Sequence, residues 1–164
     1  MTNFDYEALS NRLSSHGWIV EMETRSYSLP SELLLRYEWI PPDLRGFLEH
    51  TASLATSDDK TWFLTAREMS AANDSAFNWN QWELDSLDVA SEDTQWKATI
   101  SEFWDNHLPI VMSVRDGYKY LAIRKSDLGI VGGNEPEFEE TEKVADSFED
   151  LMAMLGDGKE CRYI

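Results

Sequence analysis

The densest group of side chains that could do chemistry in this sequence is an acidic run late in the chain. Five glutamates fall between positions 135 and 142, namely Glu135, Glu137, Glu139, Glu140 and Glu142. Carboxylates at this density can bind calcium or magnesium, or supply a general acid and base. The run lacks the Asp and Asn positions and the central glycine of an EF-hand loop. We therefore predict a solvated run that protects a strand edge, with partner binding as the main alternative and acid–base catalysis as the weakest.

Histidine and cysteine offer little further chemistry. The chain has three histidines: His16, His50 and His107. None stands at metal-ligand spacing from another histidine or from the single cysteine, Cys161. The segment Asp105-Asn106-His107 could orient a catalytic base, but no nucleophile in a recognisable turn accompanies it. The sequence therefore predicts no catalytic residue, no bound metal and no cofactor.

Aromatic residues crowd between positions 77 and 104. They are Phe77, Trp79, Trp82, Trp96, Phe103 and Trp104. Tryptophans at helical spacing are mostly buried in a core, and that is the first interpretation. The alternative is a pocket lined by Trp79, Trp82 and Trp96 that binds a small ligand. Few basic residues lie nearby, so stacking on nucleic-acid bases is not expected.

The totals restrict the class of protein further. The 164 residues carry 31 acidic against 14 basic side chains, a formal net charge of −17. This balance repels nucleic acid and anionic lipid and would attract a basic partner. The beginning of the chain lacks the basic and apolar regions of a signal peptide, and no apolar run is long enough to span a membrane. A single cysteine suits a reducing compartment, so the sequence predicts a cytoplasmic, single-domain protein.

Periodicity predicts helices and strands in a recognisable order. Helices are predicted over residues 4–15, from Pro30 to Pro41, from Pro42 onward, over 96–104 and over 147–155, the last with a capping box at Ser147 and Asp150. Strands are predicted over 18–24, 62–64, 108–125 (as a hairpin), 128–133 and, at an edge, 135–140. The pair Gly132-Gly133 lacks phosphate-loop spacing and is predicted to be a strand-end turn. This order indicates an α+β fold with an antiparallel sheet packed on helices.

The hairpin is the best-specified element of the sequence. Apolar residues alternate through residues 110–114, and Asp116-Gly117 then interrupts the pattern before it resumes. Glycine accepts positive φ, which a tight primed turn requires. We expect Tyr118 and Tyr120 to pack against helix aromatics such as Trp104.

Seven segments, taken in order, form a recognisable pattern: WIPPDLRGFLE (39–49), TWFLT (61–65), FNWNQWE (77–83), FWDNHLPI (103–110), DGYKY (116–120), GIVGGNEPEFEE (129–140) and VADSFEDLM (144–152). Through these segments the chain resembles the SUKH superfamily, the Smi/Knr-type domain of a fungal cell-wall-synthesis regulator and of many bacterial proteins. The resemblance covers roughly residues 27–156. One departure is His50-Thr51-Ala52, where members often have Asn-Gly, so partner contacts at that loop do not carry over.

The resemblance implies a fold and a role. The fold is α+β, a mainly antiparallel mixed sheet with a central hairpin, backed by helices. The role is non-enzymatic, since many bacterial members resemble immunity proteins that bind and neutralise a cognate toxin, whereas others are regulatory or small-ligand-binding modules. A nuclease toxin would present a basic cleft, and the candidate contacts are then Asp116, Glu135, Glu137, Glu139 and Glu140, chosen for their charge.

Overall fold

The computed structural model describes residues 5–70 and 77–164 as one α+β domain. Its helices are α1 (Tyr6–Ser14), α2 (Ser31–Arg36), α3 (Pro42–His50), α4 (Gln81–Ala90), α5 (Thr94–Asp105) and α6 (Phe148–Gly156). Its strands are β1 (Trp18–Met22), β2 (Thr51–Thr56), β3 (Thr61–Phe63), β4 (His107–Ser113), β5 (Lys119–Arg124), β6 (Ile130–Asn134) and β7 (Glu142–Ala145). The predicted fold class is confirmed. Residue 4 of the first predicted helix lies outside the described ranges.

Local sequence signals explain where the helices begin. Side chains of Asp5, Asp93 and Ser147 cap α1, α5 and α6 by accepting hydrogen bonds from backbone N–H groups of the first turn. The two residues predicted to begin α6 are in contact, because the Ser147 hydroxyl also donates a hydrogen bond to the Asp150 carboxylate at 2.8 Å. Pro42 occupies the first turn of α3, where a missing N–H is tolerated.

The sheet is a seven-stranded meander in which the strand order equals the chain order. Every pairing within the described ranges is antiparallel, so the mixed sheet that the resemblance implied is not found. The predicted hairpin, β4 and β5, lies in the middle of the sheet. Its ladder ends at the pair Ser113–Lys119, and Asp116 and Gly117 in the connecting loop have φ values of 54° and 103°. Both φ values are positive, as predicted, but the loop spans residues 114–118 and is longer than the predicted two-residue turn.

Both faces of the central strands are covered. Consecutive residues of β5 point to opposite faces, and Tyr120 and Leu121 are both fully buried. On the first face Tyr120 packs on Trp104 of α5, with ring centroids 5.0 Å apart, as the sequence predicted. On the second face Phe63 packs on Phe47 of α3, which in turn packs on a ring of α6. The hairpin is therefore the layer between two sets of helices.

The glycine pair of β6 corrects one prediction. Gly132 and Gly133 lie inside the strand rather than in a turn at its end. A Cβ atom on Gly133 would lie 2.6 Å from the Tyr120 ring, and one on Gly132 would collide with the Tyr163 ring. The missing side chains thus make room for two tyrosines that pack directly on the strand backbone.

The edge strand was also misplaced. Residues 135–141 form a loop, and the edge strand is β7, which begins at Glu142. Pro136 and the glutamates around it therefore take no part in a ladder, and their alternation does not reflect a strand.

Candidate functional site

The candidate contact residues lie on two loops that meet at one end of the sheet. The first, the hairpin loop, comprises residues 114–118 between β4 and β5. The second, the acidic loop, comprises residues 135–141 between β6 and β7. Glu135 N–H donates to the Tyr118 carbonyl at 2.9 Å, and Tyr118 N–H donates to the Glu135 carboxylate at 3.2 Å. The structure thus brings Asp116 of the hairpin loop close to the start of the acidic loop.

Buried contacts hold the acidic loop in place. Phe138 is the buried residue of the loop, and its ring stacks on Trp82 of α4 with centroids 5.2 Å apart and an interplanar angle of 9°. The Tyr120 hydroxyl donates a hydrogen bond to the Phe138 carbonyl. Within the loop, Glu140 N–H donates to the Glu137 carbonyl at 3.1 Å. These contacts fix the middle of the acidic loop to the core.

The five candidate carboxylates do not share one environment. Asp116, Glu135, Glu137 and Glu140 are exposed. Glu139 is half-buried and accepts a hydrogen bond from the Trp104 indole N–H at 3.0 Å. Glu139 is therefore an anchor of the acidic loop to α5, whereas the other four present charge to solvent.

Glu142, the last glutamate of the run, has a different role. Its carboxylate lies 3.0 Å from the Arg162 guanidinium and accepts a hydrogen bond from the Tyr163 hydroxyl at 2.8 Å. Burial, together with this hydrogen bond to a carboxylate, raises the pKa of Tyr163 to about 12. Glu142 thus ties β7 to the end of the chain.

The three tryptophans proposed to line one pocket are placed apart. Trp82 is buried in the core, whereas Trp96 on α5 is 47% exposed, contrary to its predicted place in the buried stripe of that helix. Trp79 lines a cavity of about 450 Å³ beside α2, and neither of the other two tryptophans lines it. The sequence-based pocket is therefore not assembled in the structure.

The histidines serve local structure. The His107 ring stacks on Phe103 with centroids 3.9 Å apart, and its Nδ1 lies 2.7 Å from the Phe103 carbonyl oxygen. Burial lowers the pKa of His107, which disfavours its charged form. His50 Nδ1 lies 2.7 Å from the Gly46 carbonyl oxygen at the end of α3. Within residues 5–70 and 77–164, no group of three His, Cys, Asp or Glu side chains could hold a metal ion.

One cluster of charges was missed by sequence reasoning. Arg36 of α2 makes two hydrogen bonds to the Glu83 carboxylate, at 2.8 and 3.0 Å, and one to Asp105 at 2.8 Å. Glu83 is a buried residue of α4, and Asp105 ends α5. The two carboxylates pair with a guanidinium rather than with each other, so the arrangement joins three helices and does not form an acid–base pair.

Comparison of the chain with protein-family models, with curated proteins and with solved structures found no match. The SUKH resemblance therefore stays a prediction from the sequence. Among the helices of the described ranges, none combines the length and the apolar character needed to cross a bilayer.

Proposed function

We propose that this protein is a non-enzymatic binding module of the immunity type, which docks onto a cognate toxin in the cytoplasm and neutralises it. The observation that carries the proposal is the acidic loop, whose backbone is anchored in the core while Glu137 and Glu140 face solvent. The SUKH resemblance supports the same role independently of the geometry.

Anchoring matters because binding has an entropic cost. Ordering a flexible loop at an interface opposes association, and a loop that is already fixed avoids most of that cost. Phe138, Glu139 and the Tyr118–Glu135 hydrogen bonds fix the loop before any partner arrives. The backbone positions that carry the exposed carboxylates are thus fixed before a complementary basic surface arrives.

The charge of the molecule indicates the chemistry of the partner. A net charge of −17 attracts a basic protein over a distance set by ionic strength, about 10 Å at 0.1 M salt. Toxins that cleave nucleic acid need a basic cleft, so a nuclease toxin fits this surface. We expect association rates to fall as salt rises, because steering acts mainly on the encounter step.

Co-expression with a candidate toxin from a neighbouring gene tests the proposal. The protein should restore growth of cells that make the toxin, and the two should co-purify as a complex. The variant Glu137→Gln/Glu140→Gln should bind at least tenfold more weakly, since it removes two exposed charges from the loop and leaves its anchors intact. The matched control, Glu7→Gln/Glu92→Gln, removes two exposed charges elsewhere and should bind like the parent.

Two results would contradict the proposal. One is the lack of both rescue and complex formation with the neighbouring toxin. The other is an equal loss of affinity in the loop variant and in the control, which would show that only the total charge matters.

A regulatory or small-ligand-binding role without a toxin is the alternative from the resemblance. Its sequence-based pocket is not assembled, because Trp82 is buried and Trp96 lies on the surface of α5. Titration of tryptophan fluorescence with sugars and nucleotides tests it. A saturable response from a parent protein that also fails to bind the toxin would favour this alternative.

A further inference from the structure

A second cavity, of about 730 Å³, has a chemistry opposite to that of the acidic loop. It lies between the turn that joins α1 to β1, the hairpin loop and the residues that follow α6. Arg115, Lys159 and Arg162 line it, and the only carboxylate side chain of the lining is Glu160, among the residues that the structure describes. Lys119 is adjacent, since its Nζ donates to the Arg162 carbonyl at 3.2 Å. A protein with 14 basic residues against 31 acidic ones thus places three cationic side chains in the lining of one cavity.

Two of these cations have exposed ion-pair partners. Arg115 lies 2.8 Å from Asp58, and Arg162 lies 3.0 Å from Glu142. The side chains of both pairs are between 36% and 66% exposed, and ion pairs at such positions contribute little free energy. A doubly charged ligand can therefore compete for the guanidinium groups. Lys159 has no ion-pair partner in the described part of the chain.

The remaining wall is apolar and well defined. Trp18, Leu155 and Cys161 line it. The His16 ring lies so close to Gly158 that a Cβ atom on this residue would collide with it, and Gly158 has a φ of 69°. The volume is within the range of about 300–1,000 Å³ that small-molecule sites occupy. The cavity thus combines cationic side chains with an apolar surface.

We propose that this cavity binds a phosphate-bearing small molecule of nucleotide size. The guanidinium groups of Arg115 and Arg162 can each take two phosphate oxygens in a planar fork, and the Lys159 ammonium adds a point charge. The apolar wall then accommodates the ring of such a ligand. Nucleic acid does not fit this description, because a long polyanion would have to lie along the acidic surface outside the cavity.

The single cysteine makes occupancy measurable. Cys161 lines the cavity, and the chain has no other cysteine. Modification by N-ethylmaleimide, a neutral reagent, therefore reports on this site alone. ATP and inorganic pyrophosphate are the probes, each compared with sodium chloride at equal ionic strength and each also titrated by calorimetry. We expect at least one of the two to slow modification at least fivefold and to bind saturably.

A charge-matched pair of variants separates the site from the general field. Lys159→Gln/Arg162→Gln removes two cations of the cavity, and Arg25→Gln/Lys125→Gln removes two exposed cations elsewhere. The first variant should weaken probe binding at least tenfold, whereas the control should bind as the parent does. Thermal midpoints of both variants are measured beforehand to confirm that they are folded.

The outcomes decide the proposal. Protection by either probe that is lost only in the cavity variant supports it. Absence of protection by both probes, or equal weakening in the cavity variant and the control, overturns it. None of these measurements involves toxin binding, so they test the cavity independently of the proposed immunity role.

Discussion

At the scale of single residues, Tyr120 connects the central hairpin to the acidic loop. It is fully buried, packs on Trp104, and donates its hydroxyl hydrogen to the Phe138 carbonyl. Burial raises its pKa well above the usual value, so the hydroxyl stays protonated and remains a donor. One side chain thus holds a core strand and a candidate contact loop together.

Replacement of this residue should therefore be costly. Tyr120→Ala should lower the free energy of unfolding by about 3–5 kcal/mol, because it removes a buried ring and leaves a cavity. Tyr118→Ala is the matched comparison and should cost less, since that ring is 37% exposed. Urea unfolding followed by circular dichroism measures both. Equal stabilities of the parent and Tyr120→Ala would refute the role assigned to this ring.

Glu139 shows what charge density alone could not reveal. The sequence grouped it with its neighbours as a contact, and the structure places its carboxylate against the Trp104 indole N–H. The two residues are 35 positions apart, so no local pattern signals the hydrogen bond. Contact and anchor residues within one acidic run become distinguishable only when the helix packed against the loop is known.

At the scale of elements, Arg36 joins α2, α4 and α5. Its guanidinium bonds to the buried Glu83 carboxylate and to Asp105, and these bonds to carboxylates raise the pKa of Arg36 although burial opposes the rise. The three helices are thereby fixed to one cation. The arrangement stabilises the layer that covers the first face of the sheet.

The losses of stability from removing Arg36 and from removing Glu83 should not add. Arg36→Ala leaves the Glu83 carboxylate buried without its cation and should cost about 3 kcal/mol. In Arg36→Ala/Glu83→Ala the orphaned charge is absent, so the double variant should be more stable than the sum of the single losses implies. A double-mutant cycle by chemical denaturation checks this. Strict additivity would mean that the two side chains do not interact energetically.

Elements with strong local signals were predicted well. The cap at Ser147 and the positive φ values at Asp116-Gly117 are encoded by the local sequence, and the structure contains both. α4 was not predicted, because its buried side includes Glu83 and Ser86, which interrupt the apolar stripe. β2 was not predicted as a strand, since it is built of small residues and buries only Thr51 and Leu54. Tertiary partners, rather than local pattern, determine these two elements.

At the scale of the whole molecule, arginine–carboxylate pairs set the response to acid. Hydrogen bonds from Arg67 lower the pKa of Glu23, and a hydrogen bond from Thr56, together with Arg115, lowers that of Asp58. Asp127 accepts two hydrogen bonds from Arg124 and one from the Gly129 N–H, so its pKa lies far below the usual range. Each of these pairs favours the folded state only while its carboxylate is charged.

The direction of the pH dependence follows. A carboxylate whose folded pKa is lowered contributes stability above its unfolded pKa of about 4 and loses it as pH falls further. We expect stability to decrease below about pH 4, and Asp127→Asn to differ from the parent more at pH 6 than at pH 2. Thermal midpoints between pH 2 and pH 7 measure this difference. Arg124→Gln should show the same weaker dependence of the thermal midpoint on pH. A difference in thermal midpoint between the parent and Asp127→Asn that is constant at all pH values would contradict the assignment.

The identical order of strands in chain and sheet has a consequence for how the protein is made. Each strand, as it leaves the ribosome, finds the edge of its predecessor open, and no later strand has to insert between two that are already joined. A nascent sheet of this kind can grow by adding strands at one edge, and few contacts between distant parts of the sequence have to form first. β5, Trp82 and Trp104 all precede the acidic loop in the chain, so the residues that anchor this loop are already present when it emerges.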